Sequence, residues 1–585
     1  MQAARATAEA ASAPTYAAMR ALVDALVRAG LREVCIAPGA RSTPLALLLA
    51  QDPRLRAWSH LDERSAAYFA LGQARASRRP VAVVCTSGTA AANFLPAVVE
   101  AAYARVPLLL LTADRPAELR ECGAFQAIDQ LKLFGGMVKW FCEVGDAAAG
   151  LPYFRALGSR AVATAAAAPA GPVHLNLPLR EPLTPPDAAA LQPDSPRDAP
   201  PCTIVPAPQR LPAPPALDAL AVSLSAARRG VVVCGPLDAD GETRAAVAAL
   251  AAALGWPLLP DATAQLRDGA HDRSHVVAAY DAILRDAALA ARFAADLVLR
   301  IGPLPISKAL LLWMRARPQV VVDPGGGWDD PLHSATALVH ADVAPLCRAL
   351  AARLTRRGDA AWLDAWRRAD RRAGAAIARR VAQIGEPFEG GVVAALAARL
   401  PDGATLVVGN SMATRDLDTF WAGGARRVRV LCNRGANGID GFVSTALGVA
   451  AASRGPTVAL TGDLGFLHDL GGLLAVRRHG VRATFVVCNN DGGGIFSYLP
   501  QADDSAAFDT FFRTPHGLDL RGGVEMYGCG FTRAATPDAF ATALDAALAS
   551  PRCAVIEVPI DLARSVALHR ELWAAAGAAA REDLR

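Results

Sequence analysis

Short, almost wholly apolar runs recur along the chain, and each stops at glycine, proline or a polar turn before a helix-like stretch begins. A strand that is apolar on both faces has to be covered on both faces, which is the condition of a parallel sheet flanked by helices. Residues 33–37, 81–86, 107–113 and 171–179 predict a first set of strands, preceded by an amphipathic helix over 16–30. A second set is read at 230–234, 296–301 and 319–323, and a third at 405–408, 427–432, 457–460, 484–488 and 554–558. Strands that alternate with helices in this way belong to βαβ units. The predicted fold class is therefore α/β, with three parallel-sheet domains.

At 585 residues the chain is too long for a single core. Prolines crowd the stretch from Pro178 to Pro215, where they stop helix and central strand alike and leave an extended linker. The expected organisation is a first domain over 1–184, a linker over 185–215, a central domain over 216–360 and a last domain over 361–585. The arginine- and alanine-rich stretch 356–382 reads as a surface helix leading into the last domain.

Composition removes several classes of function. Sixty Lys and Arg against 55 Asp and Glu give a formal charge of +5, with no basic run, so a nucleic-acid surface is not expected. No apolar run approaches the length that spans a membrane. The N-terminus lacks the basic and apolar regions of a signal peptide. Eleven cysteines without a C-x-x-C pair sit in or beside apolar sequence and read as buried free thiols of a reducing compartment, so the expected location is cytoplasmic.

The stretch with the clearest chemistry is PTVALTGD (456–463) followed by LGFLHDLGGLLAVRRHG and ATFVVCNNDGGG (483–494). It predicts two neighbouring strands joined by one amphipathic helix. Asp463 and Asn490 then lie at the carboxyl ends of those strands, where open α/β sheets bind their ligands. A carboxylate, an amide oxygen and a glycine carbonyl are hard ligands suited to magnesium or calcium and poor for zinc, and a helix N-terminus beside them favours phosphate. A divalent ion with a diphosphate is the reading of the set, although Asp463 alone is equally well explained as a helix cap. The phosphate loop G-x-x-x-x-G-K-[ST] is absent, and no G-x-G-x-x-G follows the first strand.

G-D followed at this distance by N-N resembles the thiamine diphosphate and magnesium signature. Further stretches narrow the resemblance: APGARSTPL (37–45), ADRPAELRECGAFQAIDQ (113–130), GNSMATRDLD (409–418), CNRGANGIDGFVSTALG (432–448) and NNDGGGIFSYLP (489–500). Together they are similar to the 2-succinyl-5-enolpyruvyl-6-hydroxy-3-cyclohexene-1-carboxylate synthase family of menaquinone biosynthesis. The resemblance implies decarboxylation of 2-oxoglutarate on thiamine diphosphate and conjugate addition of the succinyl unit to isochorismate. It also implies a homodimer or homotetramer with active sites between subunits.

Carried over by position, Asp463, Asn490 and the carbonyl of Gly492 would hold the metal. Glu63, which follows a short strand and opens an amphipathic helix, would hydrogen-bond the cofactor's pyrimidine and activate it. Arg434, Ile439, Ile495 and Phe496 would surround the cofactor. Ser411 and Arg415 would hold the succinyl carboxylate, and Arg41, Arg115, Gln126 and Lys308 would meet isochorismate. Planar guanidinium groups suit two dicarboxylate substrates. Ala40, Phe125 and Ala309 replace a serine, an asparagine and an arginine usual in the family, all on the acceptor side, and leave a related enzyme with another acceptor as an alternative.

Overall fold

The structure, a computed structural model, describes residues 2–354, 358–503 and 505–582. Three parallel sheets are present, as expected. The first contains Glu33–Ile36 (β1), Arg56–Ser59 (β2), Val81–Cys85 (β3), Leu108–Asp114 (β4), Trp140–Glu143 (β5) and Val173–Pro178 (β6), in the order β2-β1-β3-β4-β6-β5. The second contains Gly230–Cys234 (β7), Leu258–Pro260 (β8), Leu297–Ile301 (β9), Gln319–Val322 (β10) and Ala335–Val339 (β11), in the order β11-β10-β9-β7-β8. The third contains Thr405–Val408 (β12), Arg429–Cys432 (β13), Thr457–Gly462 (β14), Thr484–Asn489 (β15), Gly530–Arg533 (β16) and Ala554–Pro559 (β17), in the order β13-β12-β14-β15-β17-β16.

Strands β5, β8, β11 and β16 are absent from the sequence reading, and all four are edge strands. β5, β11 and β16 are also poorly buried, as in the exposure of Gly530, Thr532 and Arg533. An edge strand that is only partly covered carries no continuous apolar run.

The third domain is the hub. One apolar core unites its sheet with the helices of the central domain, from Val231 and Tyr280 to Val408 and Leu572. A second core joins it to the first domain, from Cys35 and Phe69 to Leu447 and Phe485. Arg267 of the central domain is fully buried and pairs with Asp418 at 2.5 Å. The helix Ala360–Val381 is not a surface helix, because Trp362, Trp366 and Ile377 on one face are buried in the first of these cores. Residues 355–357, where that stretch begins, lie outside the described residues. The linker after β6 is pinned to the first domain, since Tyr16 donates to the Leu183 carbonyl at 2.8 Å and Arg54 to that of Ser195 at 3.1 Å.

The helix Glu63–Ser77 was expected to be amphipathic, yet residues 65–74 are all buried. The reason is a crossing with the helix Phe442–Ala452 of the third domain at backbone contact. A Cβ on Gly72 would lie 2.2 Å from the Thr445 carbonyl oxygen, and one on Gly448 would lie 2.0 Å from that of Phe69. Only hydrogen fits at either point.

The single amphipathic helix expected after Asp463 is also interrupted. It becomes Asp463–His468, a 3₁₀ turn at Leu470–Leu473 and a further helix at Leu474–His479. The break falls at Asp469, whose carboxylate turns inward and accepts the Ser444 N–H at 2.7 Å, capping the first turn of Phe442–Ala452. Asp469 is fully buried, and burial holds its carboxyl up at about 6.

Gly448→Val places methyl groups against backbone that has no rotamer to yield, and is expected to cost about 3 kcal/mol or more in thermal or denaturant unfolding. Gly374→Ala, at an open position inside the helix Ala360–Val381, is expected to stabilise by about 0.5–1 kcal/mol. A carboxyl raised in the folded state favours folding fully only below its ordinary range, and loses that contribution as pH climbs through 6. Asp469→Asn should therefore remove part of the fall in melting temperature between about pH 4 and 6; an unchanged slope would contradict the cap's assigned burial.

Candidate active site

A cavity of about 480 Å³ opens at the carboxyl ends of β12, β14 and β15. Its walls bring together Asp463, Asn490 and Gly492 with Ser411 and Arg415. Arg434, Ile439, Ile495 and Phe496 line the same space. Nine of the residues singled out in the sequence thus share one cavity, although they come from four separate loops.

β14 delivers Asp463, which is buried and accepts from the N–H groups of Leu464 at 2.7 Å and Gly492 at 2.8 Å. Burial pushes its carboxyl up, against those two N–H groups, which favour the ionised form. β15 delivers the amide pair. Asn489 is engaged structurally, donating to Glu557 at 2.6 Å. Asn490 is different: its Oδ1 is buried with no hydrogen-bond partner. The Gly492 carbonyl accepts from Gly494 N–H at 3.0 Å and retains a second lone pair. An orphaned amide oxygen, a carboxylate disfavoured by burial and a carbonyl fit a hard divalent cation. Among the described residues no group of three His, Cys, Asp or Glu could hold a metal, so the donor set here is a mixed one.

The backbone is strained at the same place. Ser411 has φ 65° and Asp491 φ 56°, left-handed values that cost energy for residues with a side chain. The turn through Ser411 begins the helix Met412–Phe420, from which Arg415 donates back to the Ser411 carbonyl at 2.6 Å. Arg434 donates to Asn410 Oδ1 at 2.9 Å. Among the described residues neither guanidinium bonds a carboxylate. Burial, then the neighbouring Arg434, lowers the pKa of Arg415, which marks a positive site that an anion would relieve.

Three other contributors carried no distinctive signal in the sequence. Asn410 Nδ2 bonds the carbonyls of Asn433 and Gly438, both at 2.8 Å, and so holds the loop that presents Ile439. His516 Nε2 lies 3.4 Å from Asp463 Oδ2, on a loop pinned by Asp491 through the N–H groups of His516 and Gly517. Glu100 of the first domain accepts from Gly435 and Ala436 N–H groups at 2.8 and 2.6 Å. Such residues act through folding together of distant segments, and Asn410 alone lies in a motif that drew attention.

The remaining candidates lie elsewhere. Glu63, Arg41, Arg115 and Gln126 do not line the cavity. They sit at the carboxyl edge of the first sheet, Arg41 after β1, Glu63 after β2, and Arg115 and Gln126 after β4. Arg115 bonds Ser87 Oγ, and Gln126 Nε2 bonds the Ser87 carbonyl at 3.0 Å. Arg41 is buried and reaches the Leu179 carbonyl at 2.9 Å and Glu181 at 3.0 Å. Arg64 and Ser65, beside Glu63, touch His468 and Asp469 at the far end of the helix that Asp463 begins. Lys308 is exposed and opens the helix Lys308–Arg315. The preceding Ser307 bonds Asp281, which in turn bonds Thr419 on the helix that carries Arg415. Within one chain these candidates are therefore grouped apart from the residues that line the cavity.

Eight of the eleven cysteines are buried and all are free; Cys122 is exposed, and Cys142 and Cys202 are half-buried, so these three depart from the buried state read from sequence. No helix among the described residues is long and apolar enough to cross a membrane.

Family models match in the order of the domains. The thiamine pyrophosphate enzyme N-terminal TPP binding domain matches residues 17–133, the middle domain of thiamine pyrophosphate enzymes 215–408, and the C-terminal TPP binding domain 423–558. The 2-succinyl-5-enolpyruvyl-6-hydroxy-3-cyclohexene-1-carboxylate synthase of Geobacillus kaustophilus (strain HTA426) is 50% identical over 571 residues, covering 95% of this chain and 97% of the relative. The enzyme of the same name from Chloroflexus aurantiacus is 46% identical over 562 residues, covering 94% and 95%. That from Bacillus velezensis is 42% identical over 561 residues, covering 95% and 96%. With the matching cavity chemistry, these similarities establish that the chain belongs to the 2-succinyl-5-enolpyruvyl-6-hydroxy-3-cyclohexene-1-carboxylate synthase family of thiamine diphosphate enzymes.

Proposed function

We propose that this enzyme decarboxylates 2-oxoglutarate and adds the remaining succinyl unit to isochorismate, a step of menaquinone biosynthesis, in the cytoplasm. The observation that carries the reading is the cavity itself: hard cation donors, two arginines without carboxylate partners among the described residues, and apolar Ile495 and Phe496 line one space.

When bound, thiamine diphosphate supplies a nucleophilic carbon that takes up the 2-oxo acid and accepts the electron pair left by carbon dioxide. Asp463 Oδ, Asn490 Oδ1 and the Gly492 carbonyl would hold magnesium, or manganese, for its diphosphate. Glu63 would exchange a proton with the pyrimidine ring nitrogen. Ser411 and Arg415 would fix the distal carboxylate of 2-oxoglutarate, with Arg434 beside them. Ile495 and Phe496 exclude water from the reacting carbon, and Ile439 supports the cofactor. Arg41, Arg115, Gln126 and Lys308 would receive isochorismate.

The charges balance. The two substrates bring four negative charges; one carbon dioxide leaves, one carbon–carbon bond forms, and one proton is taken up at the ring carbon that bears the carboxylate. The product then carries three. Because Glu63 and the acceptor arginines lie apart from the cavity of their own chain, the complete site requires a second copy, and the enzyme is a homodimer or a dimer of dimers. Near-balanced charge gives nucleic acid no footing.

A second reading keeps the donor and changes the acceptor. It is favoured by Phe125, which is 93% exposed beside Gln126 where the family places an asparagine. The purified enzyme with cofactor, magnesium and 2-oxoglutarate decides between them: isochorismate should accelerate consumption of 2-oxoglutarate and yield the adduct by mass spectrometry. Failure to accelerate would leave the second reading. Glu63→Gln should bind the cofactor in calorimetry yet lose turnover by roughly 10²–10⁴-fold; undiminished turnover would contradict the role given to Glu63.

A further inference from the structure

The wall behind Arg415 contains acidic groups that the chemistry above does not use. Glu389 begins the helix Glu389–Arg399, and Asp416 is the neighbour of Arg415; both are buried and both line the cavity. Two ionised carboxylates here would offset Arg415 and Arg434 and repel a dicarboxylate substrate.

His569, on the C-terminal helix Leu562–Glu582, offsets that charge. It is fully buried, with the rings of Phe388, Phe420, Tyr498 and Trp573 around it at centroid distances of 4.9, 5.6, 5.6 and 5.5 Å. Its Nδ1 lies 2.8 Å from the Ser565 carbonyl oxygen, which only accepts, so Nδ1 carries a hydrogen. Its Nε2 lies 2.9 Å from Asp416 Oδ1, and that contact needs a second proton between the two atoms, whichever one it resides on. Asp416 Oδ2 is buried with no hydrogen-bond partner. Ser565 Oγ donates to Glu389 Oε2 at 2.5 Å, and the Tyr498 hydroxyl lies 2.9 Å from His569 Nδ1. The imidazole thus joins the helix Met412–Phe420 to the segment just after Phe496, and through Ser565 to the start of Glu389–Arg399.

We propose that the proton held between Asp416 and His569 determines the pocket's affinity for the distal carboxylate of the 2-oxo acid. With the proton in place, the pair is neutral and Arg415 keeps its attraction. Without it, an added negative charge lies directly behind the guanidinium. This rests on the reading of Ser411 and Arg415 as the donor's carboxylate site. Glu389, Cys488 of β15 and Tyr498 interact with the pair itself, Arg434 and Asp281 with Arg285 from the helix Tyr280–Arg285 act on Arg415, and Arg570 acts on Tyr498. Burial works against a charged His569, but Asp416 outweighs it and the pKa is raised. Carboxylate binding favours the protonated pair, so affinity is lost on the alkaline side.

The test measures calorimetric affinity for glutarate, a five-carbon dicarboxylate that cannot be decarboxylated, on the enzyme loaded with thiamine diphosphate and magnesium. In the wild type, Kd for glutarate and KM for 2-oxoglutarate should rise together, approaching tenfold per pH unit, or about 1.4 kcal/mol, once the pair titrates. KM for isochorismate should not follow. Asp416→Asn, which has no proton to lose, should bind glutarate tightly with a flat profile, while His569→Gln should be flat and weak. If His569→Gln fails to fold, Asp416→Asn carries the comparison. Nitrogen-15 spectra of the wild type should show both His569 ring nitrogens carrying or sharing a proton at neutral pH. Parallel glutarate profiles in the wild type and Asp416→Asn would overturn the proposal. Absence of glutarate binding and of 2-oxoglutarate consumption at every pH would overturn the donor-site reading with it.

Discussion

The crossing of Glu63–Ser77 over Phe442–Ala452 governs the geometry of everything else. At Gly72 and Gly448 backbone touches backbone, so the first and third domains have one register and little freedom to slide. Glu63 is thereby held beside the tail of the helix whose head carries Asp463. A contact that costs two side chains at its centre thus fixes where the first domain's candidates, Glu63 among them, sit relative to the cavity of the same chain.

Inside the cavity, unsatisfied groups do the selecting. Among the described residues Asn490 Oδ1 lacks a partner, burial disfavours the Asp463 carboxylate, and Arg415 and Arg434 neighbour each other without carboxylate partners. Each is costly when unpaired and is relieved by a cation, a diphosphate or a dicarboxylate. The strained turn at Ser411 belongs to the same pattern, in which rigidity elsewhere sustains local energy at the site. The Asp416–His569 pair extends that balance of charge one layer deeper, to the C-terminal helix.

Much of this was readable from residues alone, for identifiable reasons. Central strands such as β3, β9 and β15 are buried on both faces and therefore apolar throughout, which makes them visible. Edge strands such as β5 and β16 have no such run. Asp463 and Asn490 were found because strand ends announce a ligand site, and the arginines because their loops stand in a specific family pattern. The breaks and burial were not readable: nothing local shows that Asp469 caps a helix from another segment, that the helix after Glu63 is enclosed on every side, or that Trp362 and Trp366 face inward. His569 lies some 150 residues from Asp416 and in no motif. Long-range pairings of that kind leave no local signal.

The most direct measurement of the central claim is mixing of two inactive forms. Glu63→Gln damages the surface on the first domain and Asp463→Asn that on the third. If these surfaces complete one another across subunits, exchange of the two variants restores one intact site in each mixed dimer, and about a quarter of wild-type turnover returns. If both surfaces served the same site within one chain, no mixture would regain activity, and the account of a shared site would be contradicted.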